Sequence, residues 1–241
     1  MYLCTMRLLL LSNSTNPGEA YLAWPLPHIH DFLGTGPRIF FVPYAGVRMS
    51  YHTYAASVRE ALAPLGATVI AAHEAHDPAA ELERADAIAV GGGNTFQLLA
   101  RLEDAGLMDP IRNRVRGGVP YLGWSAGSNV ACPTIRTTND MPIVEPRSFA
   151  ALGLVPFQIN PHYTEARLPN HGGETRPERI AEYLELNRND RVIGLREGTG
   201  LRVDGKRLSL VGPAPLVMFR HGMEPREAGG DDDLSAIILG P

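Results

Sequence analysis

Five short apolar runs constrain this chain more than any other feature. They are Leu8-Leu9-Leu10-Leu11, Ile39-Phe40-Phe41-Val42, Thr68-Val69-Ile70-Ala71, Ala87-Ile88-Ala89-Val90 and Pro120-Tyr121-Leu122-Gly123. Each is too short for a helix, and none alternates polar with apolar. Strands buried on both faces read this way, and they belong to parallel sheets covered by helices. Between the runs lie stretches of helical period at 51–65, 79–84, 95–105 and 109–116. Strand-helix-strand repetition predicts an α/β fold, a mostly parallel sheet flanked by helices with right-handed crossovers.

The second half is more mixed. Residues 176–186 read as a helix with Ile180, Tyr183 and Leu184 on one face. Residues 191–195, 201–203, 207–211 and 216–219 read as strands, the middle two joined by a hairpin turn at Asp204-Gly205. These are expected to continue the sheet as antiparallel strands toward the C-terminus. With no linker and no internal repeat, the reading is one domain over 1–241. Residues 1–6 are expected to be a loose extension, with Met6 as an alternative start. The acidic tail 224–241 is expected to be solvated and frayed.

A chain of 241 residues that is 44% apolar can bury a core without staples. Its formal net charge of -4 argues against a broad footprint for nucleic acid or an anionic membrane. No apolar run reaches the roughly 18–20 residues of a membrane helix. The first residues resemble a signal peptide only weakly, because Arg7 interrupts them and no cleavage site follows. Two cysteines, Cys4 and Cys132, exclude a disulfide scaffold and fit a reducing cytosol, so the expected location is cytoplasmic. Lys206 is the sole lysine and sits in the predicted hairpin turn, which argues against lysine chemistry.

Gly123-Trp124-Ser125-Ala126-Gly127 follows one buried strand and precedes a short helical stretch. This is a G-x-S-x-G nucleophile elbow in its required context. The turn would lift Ser125 Oγ above the sheet and set backbone N–H groups, Ala126 among them, beside it to hold an oxyanion. Gly91-Gly92-Gly93-Asn94-Thr95 opens a helix after another strand. It lacks the third glycine of a dinucleotide fingerprint and the lysine of a P-loop. An oxyanion donor from Gly92 or Gly93 is the better reading. A tight turn with helix capping by Asn94 or Thr95 is the plainer one.

A serine nucleophile needs a base and an orienter. Among eight histidines, His162 stands at the end of the apolar stretch 154–157, in Gln158-Ile159-Asn160-Pro161-His162. Open α/β sheets place their sites at such carboxyl ends. His171 is a weaker candidate in a Gly-rich loop. His28-Ile29-His30 and His73-x-x-His76 have spacings a metal could use, but neither has a partner cluster nearby in sequence. For the acid, Glu197 follows the strand ending at Leu195. Glu165 and Glu174 are the other sequence candidates. The order Ser, His, Glu differs from the Ser, acid, His order of an α/β-hydrolase.

These blocks resemble the peptidase E family of serine peptidases, the α-aspartyl dipeptidases. The likeness is carried by Leu8-Leu9-Leu10-Leu11-Ser12-Asn13-Ser14-Thr15, by Gly91-Gly92-Gly93-Asn94-Thr95-Phe96-Gln97, by the elbow, by 131–144, by Asn160-Pro161-His162 and by Gly173-Glu174-Thr175-Arg176. The resemblance implies a fold like the class I glutamine amidotransferase domain, flavodoxin-like in layout. It implies a Ser125, His162, Glu197 triad, an oxyanion hole from Gly92, Gly93 and Ala126, and no metal or cofactor. It points to Arg176 for the aspartate side chain of an Asp-X dipeptide, with Asn94 also in the substrate site. The partner expected is a small acidic dipeptide, with a homodimer left open. Rival readings are a β-aspartyl or cyanophycin-type peptidase, an esterase, and a non-catalytic module binding acidic metabolites.

Overall fold

Strand parity sorts the apolar runs onto two faces of one sheet. A computed structural model describes residues 6–167, 172–230 and 232–236. The five runs become strands β1 (Arg7–Leu11), β2 (Arg38–Val42), β3 (Thr68–Ala71), β4 (Ala87–Val90) and β5 (Tyr121–Trp124). Six more follow: β6 (Gln158–Asn160), β7 (Arg191–Gly194), β8 (Gly200–Asp204), β9 (Arg207–Val211), β10 (Leu216–Arg220) and β11 (Arg226–Ala228). The main sheet runs β3-β2-β4-β5-β1-β8-β9; its first five strands are parallel and the last two antiparallel.

Among the described residues, these α-helices accompany the strands: α1 (Leu26–Leu33), α2 (Tyr51–Leu62), α3 (Pro78–Glu83), α4 (Thr95–Asp104), α5 (Met108–Arg116), α6 (Ala126–Val130) and α7 (Arg176–Leu186). Successive strand residues point to opposite faces. Leu8, Leu10, Phe40, Val42, Ile88 and Val90 pack with Leu98 and Leu102 of α4 and with Ile111 and Val115 of α5. Leu9, Leu11, Ile39, Phe41 and Trp124 pack on the other face with Ile29 and Phe32 of α1 and with Val58 and Leu62 of α2. Full burial of one leucine is worth about 1.5–3 kcal/mol. All four leucines of β1 are fully buried, so the strand is a fixed base for the loop that follows it.

The later strands depart from expectation. Only β8 and β9 extend the main sheet; β6, β7, β10 and β11 form a second sheet of order β11-β10-β7-β6. β8 fills the free edge of β1, and β7 pairs with β6 instead. A short apolar run specifies burial but not which edge it finds. Ile159, Ile193, Leu195 and Leu216 of the second sheet share a core with Leu8 and Leu10 of the first.

Met6 and the described part of the tail are better anchored than the sequence suggested. Met6 is buried and its carbonyl accepts the Gly205 N–H, while residues 1–5, including Cys4, lie outside the described residues. In the tail, β11 pairs with β10, and Ala228 and Leu234 are buried, because these two apolar side chains dock although their neighbours are charged. Helix α1 had no sequence assignment of its own. Pro27 reads as a loop signal, yet proline is tolerated in a first helical turn. The β8–β9 hairpin forms as expected, its turn falling at Gly205-Lys206, one residue later than Asp204-Gly205. No helix among the described residues is long and apolar enough to cross a membrane.

Candidate active site

Glycines shape the turn between β5 and α6. Ser125 caps α6 with φ 51 and ψ -111, a left-handed backbone that L residues seldom adopt. The bend is held from three sides. The Ser125 N–H donates to the Leu11 carbonyl at 3.0 Å, Ser128 Oγ donates to the same carbonyl at 2.7 Å, and the Tyr121 hydroxyl donates to the Gly127 carbonyl at 2.7 Å. A Cβ at Gly127 would lie 2.1 Å from the Val90 carbonyl oxygen, so only glycine fits there. Such strain persists only where the surroundings over-determine it.

The Gly91-Gly92-Gly93 turn after β4 lies against the elbow. A Cβ on Gly92 would sit 3.1 Å from Ser125 Cβ. Gly93 has φ 136, and a Cβ there would meet the Ala45 carbonyl oxygen at 2.2 Å. Trp124 Nε1 donates to the Tyr54 hydroxyl at 3.1 Å, which in turn donates to the Gly92 carbonyl at 2.9 Å. That relay aims the turn. The N–H groups of Gly92, Gly93 and Ala126 have no acceptor among the described residues. They are free donors beside Ser125.

His162 follows β6 and also has a left-handed backbone, φ 52. Its N–H donates to Ser12 Oγ at 2.8 Å, and Ser12 Oγ donates to the Leu195 carbonyl at 2.8 Å. Ser12 thus ties the end of β1 to the ends of β6 and β7. The ring then spans two partners: Nε2 lies 2.9 Å from Ser125 Oγ and Nδ1 lies 2.9 Å from Glu197 Oε1. An ionised carboxylate can only accept, so Nδ1 carries the proton and Nε2 is left to accept from the serine hydroxyl. Glu197 sits on the crossing from β7 to β8. There Gly198, φ 73, donates its N–H to Asn13 Oδ1 at 2.8 Å. His162 and Glu197 side chains remain 40% and 50% exposed, so solvent reaches both.

These groups open onto a cavity of about 700 Å³, walled by segments following β1, β2, β4 and β5. Tyr21 and Tyr54 form part of its wall, and burial pushes both phenols above their ordinary value, so they stay neutral hydroxyls. Asp140 is the acidic residue in that wall. Its Oδ2 accepts from Thr95 N at 2.7 Å, Thr95 Oγ1 at 2.6 Å and Thr138 Oγ1 at 3.0 Å.

Ser125, His162, Glu197, Gly92, Gly93 and Ala126 therefore come together. The two substrate candidates stand differently. Asn94 lines the cavity, but its side chain caps α4 by accepting from Gln97 N at 3.0 Å and donates to the Met141 carbonyl at 2.8 Å. These two bonds tie the chain together here and leave the second Nδ2 hydrogen for a ligand. Arg176 begins α7 and lines a neighbouring cleft that shares Asp140 with the cavity. Burial and Arg179 lower its pKa, while Asp140 opposes them. The arginine in the cavity wall itself is Arg48, exposed and without an ion pair among the described residues.

Of the other candidates, Glu165 pairs with Arg196 and Glu174 with Arg179, so neither serves His162. His171 lies outside the described residues. Sequence reasoning did not single out Ser12, Asn13, Asp140 or Arg48. Ser12 and Asn13 follow a parallel strand, the same positional signal that marked His162.

An elbow serine, a histidine and a carboxylate gathered at strand ends describe a hydrolase-type site, and the relatives of this chain narrow it to a peptidase. The model of peptidase family S51 matches residues 8–211, and the chain belongs to that family. Its relatives include peptidase E of Streptomyces coelicolor, 53% identical over 97% of this chain and 95% of the relative. Peptidase E of a Nostoc strain is 48% identical over 96% of each, and that of Escherichia coli is 49% identical over 93% of this chain and 99% of the relative. Among solved structures, a peptidase from an acI-B1 actinobacterium aligns with TM-score 0.67 at 19% identity, covering 96% of this chain and 98% of that one. A Listeria monocytogenes EGD-e protein aligns with TM-score 0.66 at 24% identity, over 87% and 99%. These two share the fold.

Proposed function

We propose that this peptidase is a cytoplasmic serine dipeptidase that removes an N-terminal aspartate from Asp-X dipeptides. One observation carries the reading: the continuous chain from Ser125 Oγ through the His162 ring to Glu197 at the cavity mouth. His162 Nε2 takes the hydroxyl proton as Ser125 Oγ attacks the scissile carbonyl. The carbon becomes tetrahedral, and its oxyanion is held by the free N–H groups of Gly93, or Gly92, and Ala126. Glu197 keeps the imidazole in its tautomer and steadies the imidazolium. The imidazolium then passes its proton to the leaving amine. Water, deprotonated by the same Nε2, attacks the acyl-enzyme and releases aspartate.

A cavity this small suits a dipeptide. Asp140 is the acidic wall available to the substrate's α-ammonium. The aspartate side chain needs a cationic fork, and arginine provides it bidentately. Arg176 is assigned that role; Arg48 favours a second reading because it lines the cavity itself.

The test is release of free aspartate from Asp-X, Asn-X, Glu-X and β-Asp-X peptides by wild type, Ser125→Ala, Arg176→Ala and Arg48→Ala. Ser125→Ala is expected to abolish turnover and to escape labelling by a serine-directed phosphonate. Labelling of wild type without turnover of any Asp-X peptide would overturn the substrate, and absence of labelling would favour a binding module. Losing a buried charge-assisted pair costs roughly 2–5 kcal/mol, about 30-fold to several thousand-fold in kcat/KM. Arg176→Ala should show that loss for Asp-X and not for Asn-X. If Arg48→Ala shows it instead, the second reading replaces the first.

A further inference from the structure

A second cluster of polar side chains lies outside the catalytic cavity. His52 is on the first turn of α2, and His73 and Glu74 follow β3. None of the three lines the catalytic cavity. His52 Nδ1 lies 3.3 Å from His73 Nε2 and 3.4 Å from Glu74 Oε1, and His73 Nε2 lies 3.8 Å from that same oxygen. The sequence spacing had pointed to His73 with His76. The fold replaces His76 with His52, brought in from another element, and adds a carboxylate. The other spaced pair, His28 and His30, lies two apart on α1, and such residues do not share a helix face.

The three atoms form a near-equilateral triangle. Its edges match the roughly 3.3 Å that separates ligands around tetrahedral zinc with bonds of about 2.0–2.1 Å. An ion capping this triangle with tetrahedral angles would lie about 2.2 Å from each atom, close to a zinc–nitrogen or zinc–oxygen bond length. The chemistry of the triangle is otherwise awkward. Three electron-pair donors face one another, and a single proton between the two imidazole nitrogens leaves Glu74 Oε1 to the Arg59 guanidinium alone. One cation at the centre serves all three. The donors are also held in place. Arg59 grips Glu74 through both carboxylate oxygens, with Nη1 3.2 Å from Oε1. The His73 side chain is 12% exposed, and its ring packs against Tyr51 and His52. His73 Nδ1 is buried with no partner among the described residues, so every polar contact of that ring is made through Nε2.

We propose that His52 Nδ1, His73 Nε2 and Glu74 Oε1 form a three-ligand site for a divalent transition-metal ion of the zinc class, with water in the fourth position. Imidazole-carboxylate donor sets select such ions over calcium or magnesium. The site is structural with respect to the proposed peptidase chemistry: it clamps the start of α2 to the turn after β3, away from Ser125. The residues just before α2, Val47, Arg48 and Met49, line the catalytic cavity, so the clamp sits behind one of its walls.

The test is titration of Zn²⁺ into the purified, chelator-stripped full chain by calorimetry, with Co²⁺ absorption as a second readout. One equivalent is expected to bind and to raise Tm, and Co²⁺ is expected to show the intense visible bands of a tetrahedral site. His52→Ala, at a side chain 77% exposed, should fold normally. Losing even an outer support of a metal ligand costs about 10–100-fold in affinity, and losing a ligand should cost at least that. His73→Ala should behave the same way, and Ser125→Ala should bind zinc like wild type. No binding by the wild-type chain would overturn the proposal, as would equal affinity in His52→Ala. Loss of binding in His162→Ala but not in His52→Ala would place the ion at the triad and overturn it as well. A chain that cleaves no Asp-X peptide yet binds zinc through His52 would sink the proposed activity and leave this site standing.

Discussion

Ser125 and His162, the proposed nucleophile and base, are held by different strategies. On the main sheet, Ser125 and the free N–H groups around it are placed by close backbone packing, with glycines at 92, 93, 123 and 127 letting three segments touch and buried hydroxyls of Tyr54, Tyr121 and Ser128 pinning the carbonyls. At the edge of the second sheet, His162 and Glu197 are placed by side chains from elsewhere. Ser12 holds the His162 backbone, and Asn13 holds the turn that carries Glu197. The first half is built into a buried core and tolerates no added atom. The second hangs on a few hydrogen bonds near solvent. Damage to the first should appear as lost stability, and damage to the second as lost rate.

The largest effect on the second half should come from Glu197→Gln. An amide carries no charge for the imidazolium and can hold the wrong tautomer. A fall of about 10²–10⁴ in kcat is expected with Tm nearly unchanged. An unaltered rate would transfer the orienting role to another acid. Gly127→Ala probes the first half. The new methyl would collide with the Val90 carbonyl, and overpacking of this kind costs about 1–3 kcal/mol or more. Urea unfolding should show the midpoint falling; an unchanged midpoint would mean that the elbow can relax.

Ser12→Ala should give a smaller and more telling change. It removes the bridge between the His162 N–H and the Leu195 carbonyl and leaves a donor unsatisfied, at a cost of about 1–3 kcal/mol. If Ser12 positions the base, kcat should drop about tenfold or more while KM holds, since misplacement slows the chemical step. Equal stability loss with unchanged kcat would make Ser12 a structural tie only.

The smallest effect is expected at Cys132, behind α6. Burial pushes its thiol up to about 12. The folded state therefore keeps its proton where the unfolded chain would lose it. Its stabilising contribution is complete below the ordinary thiol value and is lost as pH rises from there toward 12. A thiol reagent at mildly alkaline pH should leave Cys132 unmodified in the native protein and react on unfolding. Rapid labelling of native Cys132 would show that the elbow side of the core opens.

Legibility followed the same division. The five parallel strands and the elbow could be read because each depends on neighbours in the chain: four apolar residues in a row, or a serine between two glycines. His162 and Glu197 could be named as strand-end residues, but their meeting could not be derived locally. They lie 35 residues apart, just past β6 and β7, strands whose pairing depends on which sheet edges are free. The second sheet was missed for that reason. Arg48 and Asp140 were missed because nothing local marks a residue as part of a wall made by four loops.

The sequence alone determined the layered α/β plan, the elbow serine and its glycine-lined surroundings, because short-range sterics and hydrophobic periodicity act within a few residues. Tertiary structure alone decided the rest. It split the later strands into a second sheet and docked Met6 and Leu234 at the two ends. It gave His162 its two partners, tied Asn94 to Gln97 and Met141, and brought His52 to His73 and Glu74. In each case the deciding term was a hydrogen bond, a docked apolar side chain or a short contact between segments far apart in the chain, and such terms exist only once the chain has closed on itself.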